Sequence, residues 1–395
     1  MKPIPALLGI FLLVSSAFSA PLFAQRDATR LSAQALAQDS AYTSTIDKIV
    51  NIINQLDVAA FIDIMDITEF AAKVAKYNAD DEKSRQMFVN AYSTRKSEFV
   101  TSIFRNLKFS NAQAKFMKIV SVDGNVRALV RLSMGDTGYD YWELELQRAK
   151  DGSYKLVDWY QLSTGQLLST TLGAITNLLA KPSPGLLESL FGIKKVDPNL
   201  LHTMNRISGA LKQRDLPTAV SEFEKLPDKI KFSRVMCSVG INIANLSQDE
   251  QLYEKMLARL DKYHSKDPSA AFALLDYHIL QKHYDKAINS VDAIEQRVGR
   301  DAFVLLLYAN INLLKKDYSQ AVKFSKQSIE NEKDFIDAYD TLSLSYVKLG
   351  QFADAVKIYK TLSSDFGFSF DKENFTQDED FAQFVKSKEF KAWLN

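Results

Sequence analysis

A 34-residue spacing constrains this chain more than any other feature of it. Ala219, Tyr253, Ala287, Ala321 and Ala355 follow one another at that interval, and a fixed period of this size marks stacked supersecondary units rather than one globular core. Three residues before each stand Leu216, Glu250, Tyr284, Tyr318 and Phe352, apolar in four of the five. Seven residues after come Leu226, Leu260, Ile294, Ser328 and Leu362. Each unit is predicted to be a helix, a short turn and a second helix, with the small residue letting the two helices approach closely.

The first half has no such period. Ile46, Ile49, Val50 and Ile53 fall at i, i+3, i+4 and i+7, and Phe88, Tyr92, Phe99 and Ile103 continue a helical stripe, so 40–107 reads as helices. Strand-like segments follow at 115–122, 126–134, 139–148 and 154–161, separated by Asp123-Gly124-Asn125, Gly135-Asp136-Thr137-Gly138 and Asp151-Gly152. Turns this short predict a four-stranded antiparallel meander. Val126, Ala128, Val130, Leu132 and Met134 share one face with Trp142, Leu144 and Leu146; Val157 and Trp159 join them, leaving Leu156, Asp158 and Tyr160 opposite. Helices then pack on one side of the sheet in an α+β layer. Pro182-Ser183-Pro184-Gly185 and Asp197-Pro198 break the pattern, placing the boundary between 182 and 198.

The repeated half resembles tetratricopeptide repeats, whose period is 34 and whose second helix carries the small residue. The unit at 336–367 fits best, with Tyr339, Leu342, Ser343, Tyr346, Gly350, Phe352, Ala355, Tyr359 and Leu362 at suitable positions. The units around Ala219 and Tyr253 are degenerate, and the tail from Asp378 to Leu394 reads as the segment that caps such an array. The element order of the first half, with the run Gly152-Ser153-Tyr154-Lys155-Leu156-Val157-Asp158-Trp159, resembles the nuclear transport factor 2-like superfamily of cone-shaped α+β domains. The expected organisation is a signal peptide at 1–24, a flexible stretch at 25–39, an α+β domain at 40–181, a linker at 182–198, an all-α solenoid of helical hairpins at 199–363 and a capping segment at 364–395.

The signal peptide is read from Lys2, an apolar run from Ala6 to Val14, and the small residues Ala17, Ser19, Ala20 and Ala24. No later run is apolar enough for a bilayer, so no stable membrane insertion is expected after signal removal. Export with a single cysteine, Cys237, leaves no intramolecular disulfide and points to a bacterial periplasm. Lys plus Arg number 49 against 48 Asp plus Glu, a balance that argues against a nucleic-acid partner.

The tetratricopeptide resemblance implies a concave groove lined by first helices and open to a protein or peptide partner. Carried over by register, its residues are Phe272, Asp276, Phe303, Leu306, Asn310, Asp340 and Leu344, the apolar ones equally readable as packing between hairpins. Two acids and one amide favour a basic or apolar partner over an acidic tail. The alternative site lies on the polar face of the sheet: Tyr141, Glu143, Glu145, Asp158 and Tyr160. There Glu145 falls opposite Asp158 and Glu143 opposite Tyr160, and paired carboxylates could supply a general acid or base. The plainer reading is a wet face on which Arg127 and Arg131 neutralise the glutamates. His202, His264, His278 and His283 all lie outside the α+β domain. His278 and His283, five residues apart, point to different sides of a helix and read as solvated. Cys237 reads as a packed thiol. No cofactor, metal or catalytic motif is read, and the expected class is a non-enzymatic scaffold, with a small-molecule binder or enzyme as the alternative.

Overall fold

The computed structural model describes residues 32–76, 82–122, 124–135, 138–173 and 197–394, with an α+β region followed by a mostly helical half. The expected signal peptide and most of the expected linker lie outside the described residues. Six helices come first: α1 (Ala33–Ala37), α2 (Ser40–Gln55), α3 (Val58–Ile64), α4 (Ile67–Ala75), α5 (Glu82–Thr94) and α6 (Lys96–Phe109). Aspartates start three of them, Asp39, Asp57 and Asp66 each accepting backbone N–H bonds from the first turn of the helix that follows.

The sheet has strand order β1 (Gln113–Val122), β2 (Asn125–Ser133), β3 (Tyr139–Arg148), β4 (Tyr154–Gln161) and β5 (Gln166–Leu167), every pair antiparallel. It therefore has five strands where four were expected. The fifth, only two residues long, is too short to show alternation. The predicted register holds, with Glu143 opposite Tyr160 and Glu145 opposite Asp158. A register shift just past Asp158 changes one assignment: Leu156 enters the apolar core with Trp159, in the place expected for Val157. Such an irregularity moves neighbouring residues between faces. Against this apolar side pack Ile46, Ile49 and Ile53 of α2, Phe61 of α3, Phe70 of α4 and Leu107 of α6. Trp142 and Trp159 stack at 5.3 Å, and Phe70 lies on Trp159 at 6.2 Å.

Helices then run in pairs. The first members are α7 (Pro198–Gln213), α10 (Arg234–Ser247), α12 (Ala271–Leu280), α14 (Ala302–Leu314) and α16 (Ile336–Lys348). The second members are α8 (Leu216–Glu224), α11 (Glu250–His264), α13 (Tyr284–Val298), α15 (Tyr318–Asn331) and α17 (Phe352–Phe366), and a one-turn helix, α9 (Asp228–Lys231), follows the first pair. The second members thus begin at the five residues read from the sequence. The turns before them repeat as well: Arg214, Gln248, Lys282, Lys316 and Gly350 all have positive φ, between 54° and 71°. Asp215, Asp249 and Asp317 cap the helices that follow. Ala219, Ala287, Ala321 and Ala355 are fully buried, as close approach requires. In the second pair, where Tyr253 takes that place, Gly240 of α10 supplies closeness: a Cβ there would lie 2.7 Å from Met256 and 3.0 Å from the Phe223 ring.

Two compact units divide the chain between Ala273 and Leu274. In the first, the turn after β4 meets the helices: Arg234 donates to the carbonyls of Thr164 at 3.2 Å and Ser269 at 3.4 Å, and its Nε lies 3.6 Å from Asp267. In the second, α18 (Glu373–Thr376), α19 (Ala382–Lys386) and α20 (Lys388–Leu394) bury Phe375, Phe384 and Phe390 in one cluster with Tyr359 and Leu362 of α17.

Candidate functional site

Helical register separates the groove candidates into two kinds. Phe303, Leu306 and Leu344 are buried, at 3%, 4% and 6% exposure. They are packing residues, and a charged substitution there would test stability rather than recognition. Asp276 and Asn310 are half-buried and Asp340 is exposed; Phe272, also half-buried, belongs to the first unit. Asn310 is positioned by Thr341, whose hydroxyl donates to its Oδ1 at 2.7 Å and links α14 to α16.

The two carboxyls are unlike ordinary surface acids. Burial raises Asp276 to about 7, and burial together with the charge of Asp337 raises Asp340 to about 6. Charge also differs between first and second helices. The only Asp, Glu, Lys or Arg residues on α12, α14 and α16 are Asp276, Asp337, Asp340 and Lys348, and Lys348 is paired with Asp380. The cations Lys286, Arg297, Lys323, Lys326, Lys357 and Lys360 belong to the second helices.

A prediction follows from Asp276. Its folded-state pKa is raised, so the folded protein holds a proton that the unfolded chain has released between about pH 4 and 7. Stability therefore falls as pH rises through that window. Asp276→Asn should stabilise the fold at pH 8 by on the order of 2 kcal/mol once solvent contact is allowed for, and leave stability unchanged below pH 4. Thermal melts at both pH values check this; an equal shift at each would contradict it.

The polar face of the sheet is buried, which corrects the expectation of a wet surface. Tyr141, Glu143, Asp158 and Tyr160 are 8% exposed or less, and Arg127 and Arg131 are each 4% exposed. Arg127 lies 3.1 Å from Glu143 and 3.9 Å from Glu145, while Lys73 of α4 reaches Glu145 at 2.5 Å. Asp158 accepts from the Ser169 hydroxyl at 2.5 Å and from its N–H at 3.2 Å. Burial raises the Asp158 carboxyl to about 6, with Glu145 adding and Lys73 and Ser169 opposing. Asp140, also raised to about 6 by burial, accepts from Ser163, Trp142 and the Tyr141 N–H. Nothing local in the sequence marks Lys73, Ser169 or Ser163 as partners of these acids.

Two further readings meet the structure differently. His278 is buried at 4% exposure rather than solvated, while His283 is exposed just before α13. Cys237 is buried and its thiol is raised to about 11 by that burial, which keeps it protonated. Among the described residues no group of three or more His, Cys, Asp or Glu could hold a metal, and no helix is long and apolar enough to cross a membrane. No protein-family model matches the chain, and no curated protein matches it.

Proposed function

We propose that this is an exported, periplasmic, non-enzymatic interaction protein that binds a protein or peptide partner on the concave face of a tetratricopeptide-type array. The reading includes a cone-shaped α+β module of the nuclear transport factor 2-like kind at its N-terminal end. The observation that carries it is the fivefold recurrence, at one spacing, of a left-handed turn followed by a second helix. Repetition of that kind sets first helices side by side, and such a surface is ordered before a partner arrives. Most of the ordering entropy of binding then falls on the partner.

Site-specific photo-crosslinking tests it. A photoreactive side chain in place of Asp340 should capture a discrete envelope protein, while the same group in place of Lys357, exposed on α17, should not. Capture from neither position, or equally from both, would remove the groove reading. A pocket in the α+β module is the alternative, and the near-neutral carboxyl of Asp158 is what favours it. The ion pairs that fill the same face weigh against it.

A further inference from the structure

The one-turn helix α9 interrupts the regular succession of hairpins, and it brings an aromatic side chain with it. Phe232, just after α9, stacks on Tyr263 of α11 with ring centroids 4.5 Å apart and planes 10° from parallel. His264 fixes the approach, its Nε2 lying 2.8 Å from the Phe232 carbonyl oxygen, yet Tyr263 stays 43% exposed. Cations gather on this stack: Lys231 and Arg259 lie over the Phe232 ring at 5.2 and 5.7 Å, and Lys262 over the Tyr263 ring at 5.1 Å. On α11 charge is sorted by helical position. Lys255, Arg259 and Lys262 fall at i, i+4 and i+7 on one side, whereas Glu250, Glu254 and Asp261 follow a separate line. Two carboxylates face these cations. Arg259 takes both oxygens of Glu224, at 2.6 and 2.7 Å, Lys255 shares one of them at 3.0 Å, and Lys231 lies 3.9 Å from the other and 3.3 Å from Asp228. Lys262 makes no ion pair among the described residues, and Lys255 is 55% exposed. Positive charge is therefore in surplus on one measured cluster.

We propose that this side of α11 receives an acidic segment of a partner protein, one carboxylate at Lys255 and a second at Lys262, with the Tyr263 hydroxyl donating to the second. None of these residues is a groove candidate, so the proposal stands apart from the groove reading. Glu224 cancels only one of the charges that converge on it, and an arriving carboxylate gains from the remainder. A basic segment would be repelled. The two lysines are seven residues apart on a helix, about 10 Å along its axis, which is too far for one small anion to bridge and suits a chain carrying two acids. Stacked bases are disfavoured as well, because each ring already carries its partner ring and a cation. Stacking also holds Tyr263 in place before any partner arrives, which lowers the ordering cost of binding.

The test uses the full chain and a phage-displayed library of random 12-residue peptides, kept if they bind the parent and discarded if they bind Lys255→Gln/Lys262→Gln. That variant leaves the Arg259–Glu224 pair in place and should melt with the parent. Surviving sequences should be several-fold enriched in aspartate and glutamate over the starting library. A synthetic survivor should bind the variant about tenfold more weakly than the parent, the weight of two exposed ion pairs with a shared donor, and should lose affinity as salt is added. Tyr263→Phe should cost a smaller factor. Lys357→Gln/Lys360→Gln, which removes two exposed cations of α17, should bind the peptide as the parent does. Survivors without acidic enrichment, or no survivors, would overturn the proposal. Equal loss in the α17 variant would overturn it too, by reducing the effect to net charge. Displacement of the peptide by an equal concentration of a 12-nucleotide oligothymidylate would overturn the protein segment in favour of any polyanion.

Discussion

Arg127→Met should destabilise the α+β region by about 3–5 kcal/mol, the range for removing one partner of a buried ion pair. The loss is this large because Glu143, 1% exposed and 3.1 Å from the guanidinium, would lose that cation in a place where water does not replace it. Replacing both members, Arg127→Met with Glu143→Leu, should recover most of the loss, since two apolar side chains of similar volume carry no stranded charge. Urea unfolding in a Trp393→Phe background makes Trp142 and Trp159 the only fluorescent tryptophans, and both lie in the sheet core. A single variant that loses under 1 kcal/mol, or a double variant as unstable as the single, would show that the pair does not anchor this layer.

Gly165→Ala is expected to cost on the order of 3 kcal/mol or more, for two reasons that add. Gly165 has φ of +73°, and a Cβ there would lie 2.2 Å from the carbonyl oxygen of Ser269. That oxygen is backbone, with no rotamer by which to withdraw, and Arg234 ties the same carbonyl and that of Thr164 to α10. The turn or the helix start must move, breaking these bonds. Gly152→Ala separates the causes: its φ is +85°, but its Cβ would meet nothing nearer than the end of the Arg148 side chain at 3.8 Å. Only the conformational cost, about 1–2 kcal/mol, should be paid there. Hydrogen exchange at 162–165 and 268–270 should rise in the Gly165 variant alone. Equal losses at the two glycines would mean the close approach has no energetic weight.

Much of this is legible in the sequence. Short Gly-containing turns fix hairpin register, so the opposition of Glu145 to Asp158 could be counted along the chain. The displacement of Leu156 into the core could not, because one extra residue in a strand leaves composition and alternation almost unchanged. Alternation also shows that a face is polar without showing what covers it. Lys73 meets Glu145 across 72 positions of sequence, and no local pattern encodes such a meeting. In the repeated half, periodicity located every second helix, yet it could not separate Leu306, which packs, from Leu280, which is exposed. Both are leucines on first helices, and the difference lies in what the neighbouring chain happens to cover.

The tight turns carry a consequence for how this chain can change over generations. The step from a left-handed turn residue to the next second helix is invariant across all five pairs, although four of those residues are not glycine. First helices, by contrast, range from 10 to 16 residues. The turn behaves like a fixed reading frame. A residue gained or lost inside a pair shifts that pair's buried small residue off its partner helix, whereas the stretches between Glu224 and Arg234, Val298 and Ala302, or Asn331 and Ile336 can absorb it. Length polymorphism among descendants of this sequence should gather in those three stretches and spare the turns.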